Sequence, residues 1–287
     1  NHRGVVNLVY FHRRGFGEAP GSRMSQVANP GFDAMAFEVW PCLLAGAALY
    51  IVDNDVRLDP AGMKHWLIRM GITISFQPTV LVEQLLNEPW PEQGVALKSL
   101  RAAGDKLNHH PHSRRRYPFV LYNLYGPTED TVWTTWTEVK AVPAPGQNTP
   151  PTIGKPVANH RVYIMDANLM PRPIGVPGQL CIAGEGLARG YLNNPELTAE
   201  KFLLLPPSPF TLPPSPLYKS GDLARWLPDG NIVFIGRIDS QVKIRGFRIE
   251  LAEIEHRLLS HEQIDGAVVL VKQAESEANL CAYFVSK

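Results

Sequence analysis

Asn123-Leu124-Tyr125-Gly126-Pro127-Thr128-Glu129 closes the apolar run Phe119 to Leu124. A strand that ends in a Gly-Pro turn brings an aromatic ring, a hydroxyl and a carboxylate together at the carboxyl edge of a sheet, where ligands of α/β proteins sit. A nucleotide has a use for each. The ring of Tyr125 would stack on a base, Thr128 would hydrogen-bond a phosphate, and Glu129 would hold the hard, oxygen-seeking Mg²⁺ that accompanies ATP. The same residues also read as an ordinary turn with a capping Thr and a solvated Glu. Upstream, between Arg23 and Trp136, β-prone runs (Ala47 to Val52, Ile72 to Phe76, Phe119 to Leu124) alternate with amphipathic stretches (Pro60 to Met70, Pro78 to Asn87). That alternation predicts βα units around a largely parallel sheet.

Downstream the texture changes. From about residue 152, and clearly after His160, strands are shorter and separated by Gly and Pro turns, as in Val162 to Met165, Gln179 to Ala183 and Asn231 to Ile235. After Arg237 the chain reads as strand (Gln241 to Arg245), helix (Leu251, Ile254 and Leu258 on one face), strand (Gly266 to Val271) and strand (Leu280 to Val285), which predicts a small α+β tail. Two proline-rich stretches, Val142 to Pro151 and Leu205 to Pro216, cannot enter a helix or central strand and are expected to be surface connectors.

Composition sets outer bounds. The chain has 287 residues with net charge +1, so electrostatics suggest neither nucleic acid nor an anionic membrane as partner. Apolar residues make up 45% and charged residues 19%, enough for a packed core and too apolar for a disordered chain. The longest apolar run, Cys42 to Val52, is too short to span a bilayer, and no secretory leader opens the sequence, so a soluble, cytoplasmic protein is expected. Cys42, Cys181 and Cys281 are widely spaced in apolar surroundings and read as buried reduced thiols. His109, His110 and His112, followed by Arg114, Arg115 and Arg116, read as a solvated loop in preference to a metal site.

Other segments carry candidate chemistry. Tyr218 to Trp226 holds Asp222 after Gly221, and an acidic residue so placed can accept from both hydroxyls of a ribose. Gly236 to Gly246 is cationic and precedes a helix whose acidic first turn suits its dipole. Gly184 to Gly190 has its glycines at the wrong interval for a dinucleotide fingerprint, and no GxxxxGK[ST] loop is present.

Taken in order, five segments resemble the adenylation domains of nonribosomal peptide synthetases, within the superfamily of adenylate-forming acyl ligases. They are Phe32-Asp33-Ala34 with Glu38 and Trp40, Tyr125 to Glu129, Gly178 to Leu192, Ser220 to Gly230, and Gly236 to Glu250. The resemblance covers essentially the whole chain. It implies an α/β adenylate-forming fold: a large subdomain over residues 1–238, here partial, and a small mobile carboxyl-terminal subdomain over 239–287. It also implies that Tyr125 and Gly126 meet adenine, Thr128 the α-phosphate and Glu129 the Mg²⁺. Asp222 would bind the ribose, with Phe234 and Arg237 nearby. Asp239 matches the hinge, and Lys243 matches a residue that faces the site in the thioester-forming state. The implied reaction activates an amino acid with ATP and Mg²⁺ as its aminoacyl-adenylate, then transfers it to the phosphopantetheine thiol of a peptidyl carrier protein. A condensation domain and an MbtH-like helper are further implied partners.

Asp33 separates the branches of that superfamily. In amino-acid-activating members the matching aspartate pairs with the substrate α-ammonium, and a substrate without the amine would leave that carboxylate unpaired. The alternative is a helix N-cap before Ala34 to Leu44. The other pocket positions implied are Ala34, Phe37, Ser75, Ala103, Leu124, Val132 and Trp133, a mostly apolar set that favours an apolar or aromatic substrate side chain. The segment Ser99 to Asp105 is shorter than in family members, so a displaced strand is expected there, with Arg101 either in the pocket or in solvent. Gln179 stands where Glu is usual, and Pro206 to Pro216 resembles an insertion.

Against the family's motif order, the sequence opens just after the Ser/Thr/Gly-rich phosphate loop and closes before the final lysine motif. The residues as they stand are therefore expected to be poorly active. An acyl- or aryl-coenzyme A ligase, and a fragment that only binds nucleotide, are the alternative readings.

Overall fold

The computed structural model describes residues 1–113, 115–141, 149–204, 216–239, 241–244, 247–274 and 277–287, without the side chains of 243, 247, 248, 273, 274, 277 and 278. Most of both proline-rich stretches, and Arg114, lie outside the described residues.

Seven strands form the first sheet: β1 (Arg23–Gln26), β2 (Ala48–Ile51), β3 (Ile74–Pro78), β4 (Ser99–Ala103), β5 (Val120–Tyr125), β6 (Thr135–Glu138) and β7 (Lys155–Pro156). Their spatial order is β2-β1-β3-β4-β5-β6-β7. The first five are parallel, and β6 and β7 continue the sheet antiparallel. The βα alternation read from the sequence is thus realised, with ends that differ by one or two residues. Helices α1 (His2–Gly15) and α2 (Ala34–Leu44) cover one face, while α3 (Pro60–Arg69) and α4 (Thr79–Asn87) cover the other.

Side chains alternate between the two faces. On β4, Leu100 and Ala102 join the core under α3 and α4 with Met63, Leu67, Val82 and Leu85, whereas Ala103 faces α1 and α2. All five residues of β4 are buried, in register between β3 and β5.

The second sheet has the order β10 (Phe202–Leu204), β11 (Pro216–Trp226), β9 (Gly178–Gly184) and β8 (His160–Met165), with β12 (Ile232–Arg237) also paired to β11. A short α5 (Pro195–Lys201) precedes β10. Beyond Arg237 come the hairpin β13 (Val242–Ile244) and β14 (Phe247–Ile249), then α6 (Leu251–Leu259) and the hairpin β15 (Ile264–Ala274) and β16 (Glu277–Ser286). Elements without a counterpart in the sequence reading include α1, β1, β6, β7, α5, β10 and β14.

Cys42 and Cys181 are buried free thiols, pushed up to about 11 and about 12 by burial, but Cys281 is only half-buried. Of the basic loop, Arg115 donates to the Leu86 carbonyl near the end of α4, and the His110 ring meets the Lys140 carbonyl. Among the described residues no helix is long and apolar enough to cross a membrane.

Candidate functional site

A cleft opens at the carboxyl ends of β4 and β5. Its lining includes Gly104, Asn123, Tyr125, Gly126, Ile153 and Phe234. Tyr125 ends β5, and its ring lies 6.2 Å from that of Phe234 on β12, so two aromatic faces from different sheets border the same space. Gly126 is dictated by the fold of the turn: a Cβ there would lie 2.3 Å from the Val132 carbonyl oxygen and 2.6 Å from Trp133 Cα. Thr128 is exposed, in a 3₁₀ turn over Thr128–Asp130.

Next to the cleft runs a chain of charge-assisted bonds. The Tyr125 hydroxyl donates to Asp222 Oδ2 at 2.5 Å, and Arg237 Nη1 donates to Asp222 Oδ1 at 2.7 Å. The same guanidinium grips both oxygens of Asp239, at 2.7 and 2.6 Å. Burial, and then the Asp222 charge, hold the Tyr125 phenol well above its ordinary pKa. Gly221 permits the arrangement, since at φ 76° a Cβ would meet Asp239 Oδ2 and Arg237 Nη2. Tyr125, Asp222, Phe234, Arg237 and Asp239, read as candidates from segments about a hundred residues apart, are therefore brought together.

Glu129 is buried and held on two sides. Its Oε1 accepts from the Tyr191 hydroxyl at 2.7 Å, and its carbonyl accepts from the Ala188 N–H. Asp130 follows, buried, with Thr134 Oγ1 at 2.7 Å and His160 Nε2 at 3.3 Å. Burial raises Asp130; on His160 burial acts the other way, but the bond and charge of Asp130 carry it above its ordinary value. Tyr191, Asp130 and His160 were missed by the sequence reading, because their partners are distant in the chain. Lys243 stands in β13, and its side chain lies outside the described residues.

The acyl-side candidates gather under α1 and α2. Phe37, Ala103, Leu124, Val132 and Trp133 belong to one buried cluster, with Ala34 packed against it. Asp33 occupies the N-cap position of α2 but makes no capping bond, and its φ of −62° is already helical. The cap alternative is not realised. Ser75 is elsewhere: it lies on the α3 and α4 face of β3, bonded to Ser25 and Gln77 at 2.8 Å each. Strand alternation puts its neighbour Phe76 into the cluster in its place. Val132 takes φ 76°, a conformation costly for a β-branched residue and stored beside the site.

Arg101 neither faces solvent nor stands free. It is fully buried on the Ala103 face of β4, with Nη1 2.8 Å from Glu18 Oε1 and Nε 3.2 Å from Ser99 Oγ. His12 Nδ1 lies 3.2 Å from the same Glu18 oxygen. Burial draws His12 down to about 4; burial alone would raise Glu18, but His12 and Arg101 hold it at about 2. Nothing in the sequence signalled Glu18 or His12, which are 83 and 89 residues from Arg101.

The family described as AMP-binding enzyme matches residues 1–192. A linear gramicidin synthase of Brevibacillus parabrevis is 47% identical over 286 residues, which are 99% of this chain and 4% of that protein. Tyrocidine synthase 1 of the same organism is 40% identical over 287 residues, 100% of this chain and 26% of that one. Among solved structures, an artificially fused adenylation-PCP di-domain nonribosomal peptide synthetase (NRPS), NpsA-ThdA from Klebsiella oxytoca, superposes with a TM-score of 0.82 at 26% identity. It is matched over 100% of this chain and 52% of its own. Holo-PA1221, an NRPS protein containing adenylation and PCP domains, gives a TM-score of 0.83 at 28% identity, over 99% of this chain and 49% of its own. The chain thus spans a small part of these synthetases and about half of the solved chains. It belongs to the family of AMP-binding enzymes and is similar, within that family, to the adenylation domains of nonribosomal peptide synthetases.

Proposed function

We propose that this chain is the part of an amino-acid-activating ligase that holds nucleotide and amino acid. The observation that carries the reading is the meeting of Tyr125 and Phe234 at one cleft, with Asp222 and Arg237 bonded in a chain to the Tyr125 hydroxyl beside it, and Asp33 uncapped beside an apolar cluster. The two aromatic faces suit adenine. Asp222 keeps acceptor capacity beyond its two present bonds, because a carboxylate offers about four lone-pair sites, so ribose hydroxyls can share it. Thr128 is placed for an α-phosphate oxygen.

In the reaction proposed, a substrate carboxylate oxygen attacks the α-phosphorus of ATP, and the bond to pyrophosphate breaks. A carrier thiolate then attacks the acyl carbon and AMP leaves. The protein's share is positioning and charge placement. Mg²⁺, when bound, supplies neutralisation of the phosphate charge. Glu129 fits it as a single carboxylate of the kind Mg²⁺ takes alongside phosphate oxygens, and among the described residues no cluster of three metal-ligating side chains exists. Asp239, exposed and gripped by Arg237, is the proposed hinge between residues 1–238 and 239–287, after which Lys243 would face the site for the thioester step. A phosphopantetheine-bearing carrier domain is the proposed acceptor; a condensation domain and an MbtH-like helper are further proposed partners, and a cytoplasmic location goes with them.

The test is exchange of labelled pyrophosphate into ATP by the full-length chain across a panel of amino acids and simple carboxylic acids. Exchange that depends on an amino acid is expected. Exchange with simple acids alone would instead indicate an acyl- or aryl-coenzyme A ligase.

A further inference from the structure

We infer that the site selects an amino acid with a small side chain, from glycine to a short aliphatic one, because the protein's own rings fill the space a larger one would need. The inference rests on the amino-acid reading above and names its substrate class. Phe37 comes from α2, Phe76 from β3 and Trp133 from the segment between the 3₁₀ turn and β6. Their ring centroids form a closed triangle: 5.7 Å for Phe37 to Phe76, 5.0 Å for Phe37 to Trp133, and 5.7 Å for Phe76 to Trp133. Every side of that triangle is within the contact range of packed aromatics, about 4.5–7 Å. A fourth ring cannot enter without expelling one of the three, and these are 1%, 7% and 4% exposed.

The surroundings leave no easy retreat. Leu8, Leu124 and Val132 pack on the same cluster, and overfilling such a core forces side chains off their rotamers. The small members are Ala34, next to Asp33 in sequence and partly open, and Ala103 at the end of β4. These are the positions against which a hydrogen, a methyl or a short branched chain can lie.

A second observation excludes acidic substrates. Arg101, the cation on the same strand face as Ala103, is already balanced by Glu18 and is sandwiched by Phe16 and Phe37, whose ring centroids are 4.3 and 5.5 Å from its guanidinium carbon. A substrate carboxylate reaching it would have to share a fully buried pair that is already neutral. The apolar lining read from the sequence favoured an apolar or aromatic side chain; the packing keeps the apolar choice and removes the aromatic one.

The experiment compares pyrophosphate exchange by the full-length chain with glycine, alanine and valine against phenylalanine, tryptophan and aspartate. The best small substrate is expected to exceed each of the other three by at least about tenfold in kcat/KM. Trp133→Ala and Phe76→Ala, with Trp133→Leu and Phe76→Leu as milder variants should the first pair fold poorly, are expected to raise the phenylalanine-to-alanine ratio by about tenfold or more. A wild-type preference for phenylalanine, tryptophan or aspartate would overturn the inference while leaving amino-acid activation intact. Exchange with simple carboxylic acids and with no amino acid would overturn the amino-acid reading and this inference with it.

Discussion

Asp222 shows how much one residue's chemistry can be read before its neighbours are known. An acid after a glycine suggests a ribose ligand; only the folded chain shows that Tyr125 and Arg237 converge on it from β5 and β12. If that convergence serves nucleotide binding, Asp222→Asn should raise the KM for ATP by about tenfold with a smaller change in kcat, since a charge-assisted bond is worth about 1.5–3 kcal/mol. A fall in kcat alone, at unchanged KM, would place Asp222 in the chemical step instead. Residue-scale legibility had a clear limit at Ser75. The motif pointed to that stretch of β3, but the choice between Ser75 and Phe76 depends on which face of the strand meets α2, and an apolar run buried on both faces does not declare it. Arg101 failed to declare itself for another reason, because its partner Glu18 lies on a different segment and carries no local signal.

Elements were more legible than residues. Strands β2, β3 and β5 and helices α3 and α4 follow from β-branched runs and amphipathic stretches bounded by Gly, Pro and Asp, and α3 starts where Asp59 caps the N–H groups of Ala61 and Gly62. The hairpin strand β14 was missed, since three residues hold too little pattern to separate from a loop. Glu38, quoted as part of a motif, turns out to fasten α2 to the end of β1: its two oxygens accept from Val27 N–H at 2.8 Å and Ala28 N–H at 2.9 Å. Glu38→Gln would turn an amide donor toward one of those buried donors, and a loss of about 1–3 kcal/mol is expected in urea unfolding. A midpoint unchanged from wild type would remove Glu38 from the fastening. The turn after β5 gives a sharper test. Gly126→Ala is expected to impair ATP-dependent activity along with stability, because the added methyl collides with the backbone at Val132 and Trp133 and shifts Thr128 and Glu129 with it. Full activity with unchanged stability would contradict the tight approach.

At the scale of the whole molecule, the buried group of His12, Glu18 and Arg101 joins α1 to β4 across the sheet face, so its titration is a property of the fold. His12 is held down to about 4 by burial, which means the unfolded chain binds its proton more readily between pH 6.5 and 4. The His12 contribution to stability is therefore complete above about pH 6.5 and is lost as pH falls through that window, by about 1.4 kcal/mol per pH unit at most, whereas Glu38, pushed up to about 8 by burial, opposes it with a loss as pH rises above about 4.5. Glu18, depressed to about 2, adds its own loss between pH 4.5 and 2. In urea unfolding His12→Gln is expected to gain stability relative to the wild type as pH falls from 7 to 5; an unchanged difference between the two proteins across that window would remove His12 from the titration.

On the proposed reading, Asp33 receives the amine of an amino acid whose carboxylate is activated at the Tyr125 cleft. The most direct measurement is pyrophosphate exchange by the full-length chain with its best amino acid and with the same acid lacking the α-amine, in wild type and Asp33→Ala. Strong exchange is expected with the amino acid, at least about a hundredfold less with the deamino acid, and loss of that difference in Asp33→Ala. Equal exchange with both acids in the wild type, or an undiminished preference in the variant, would contradict it.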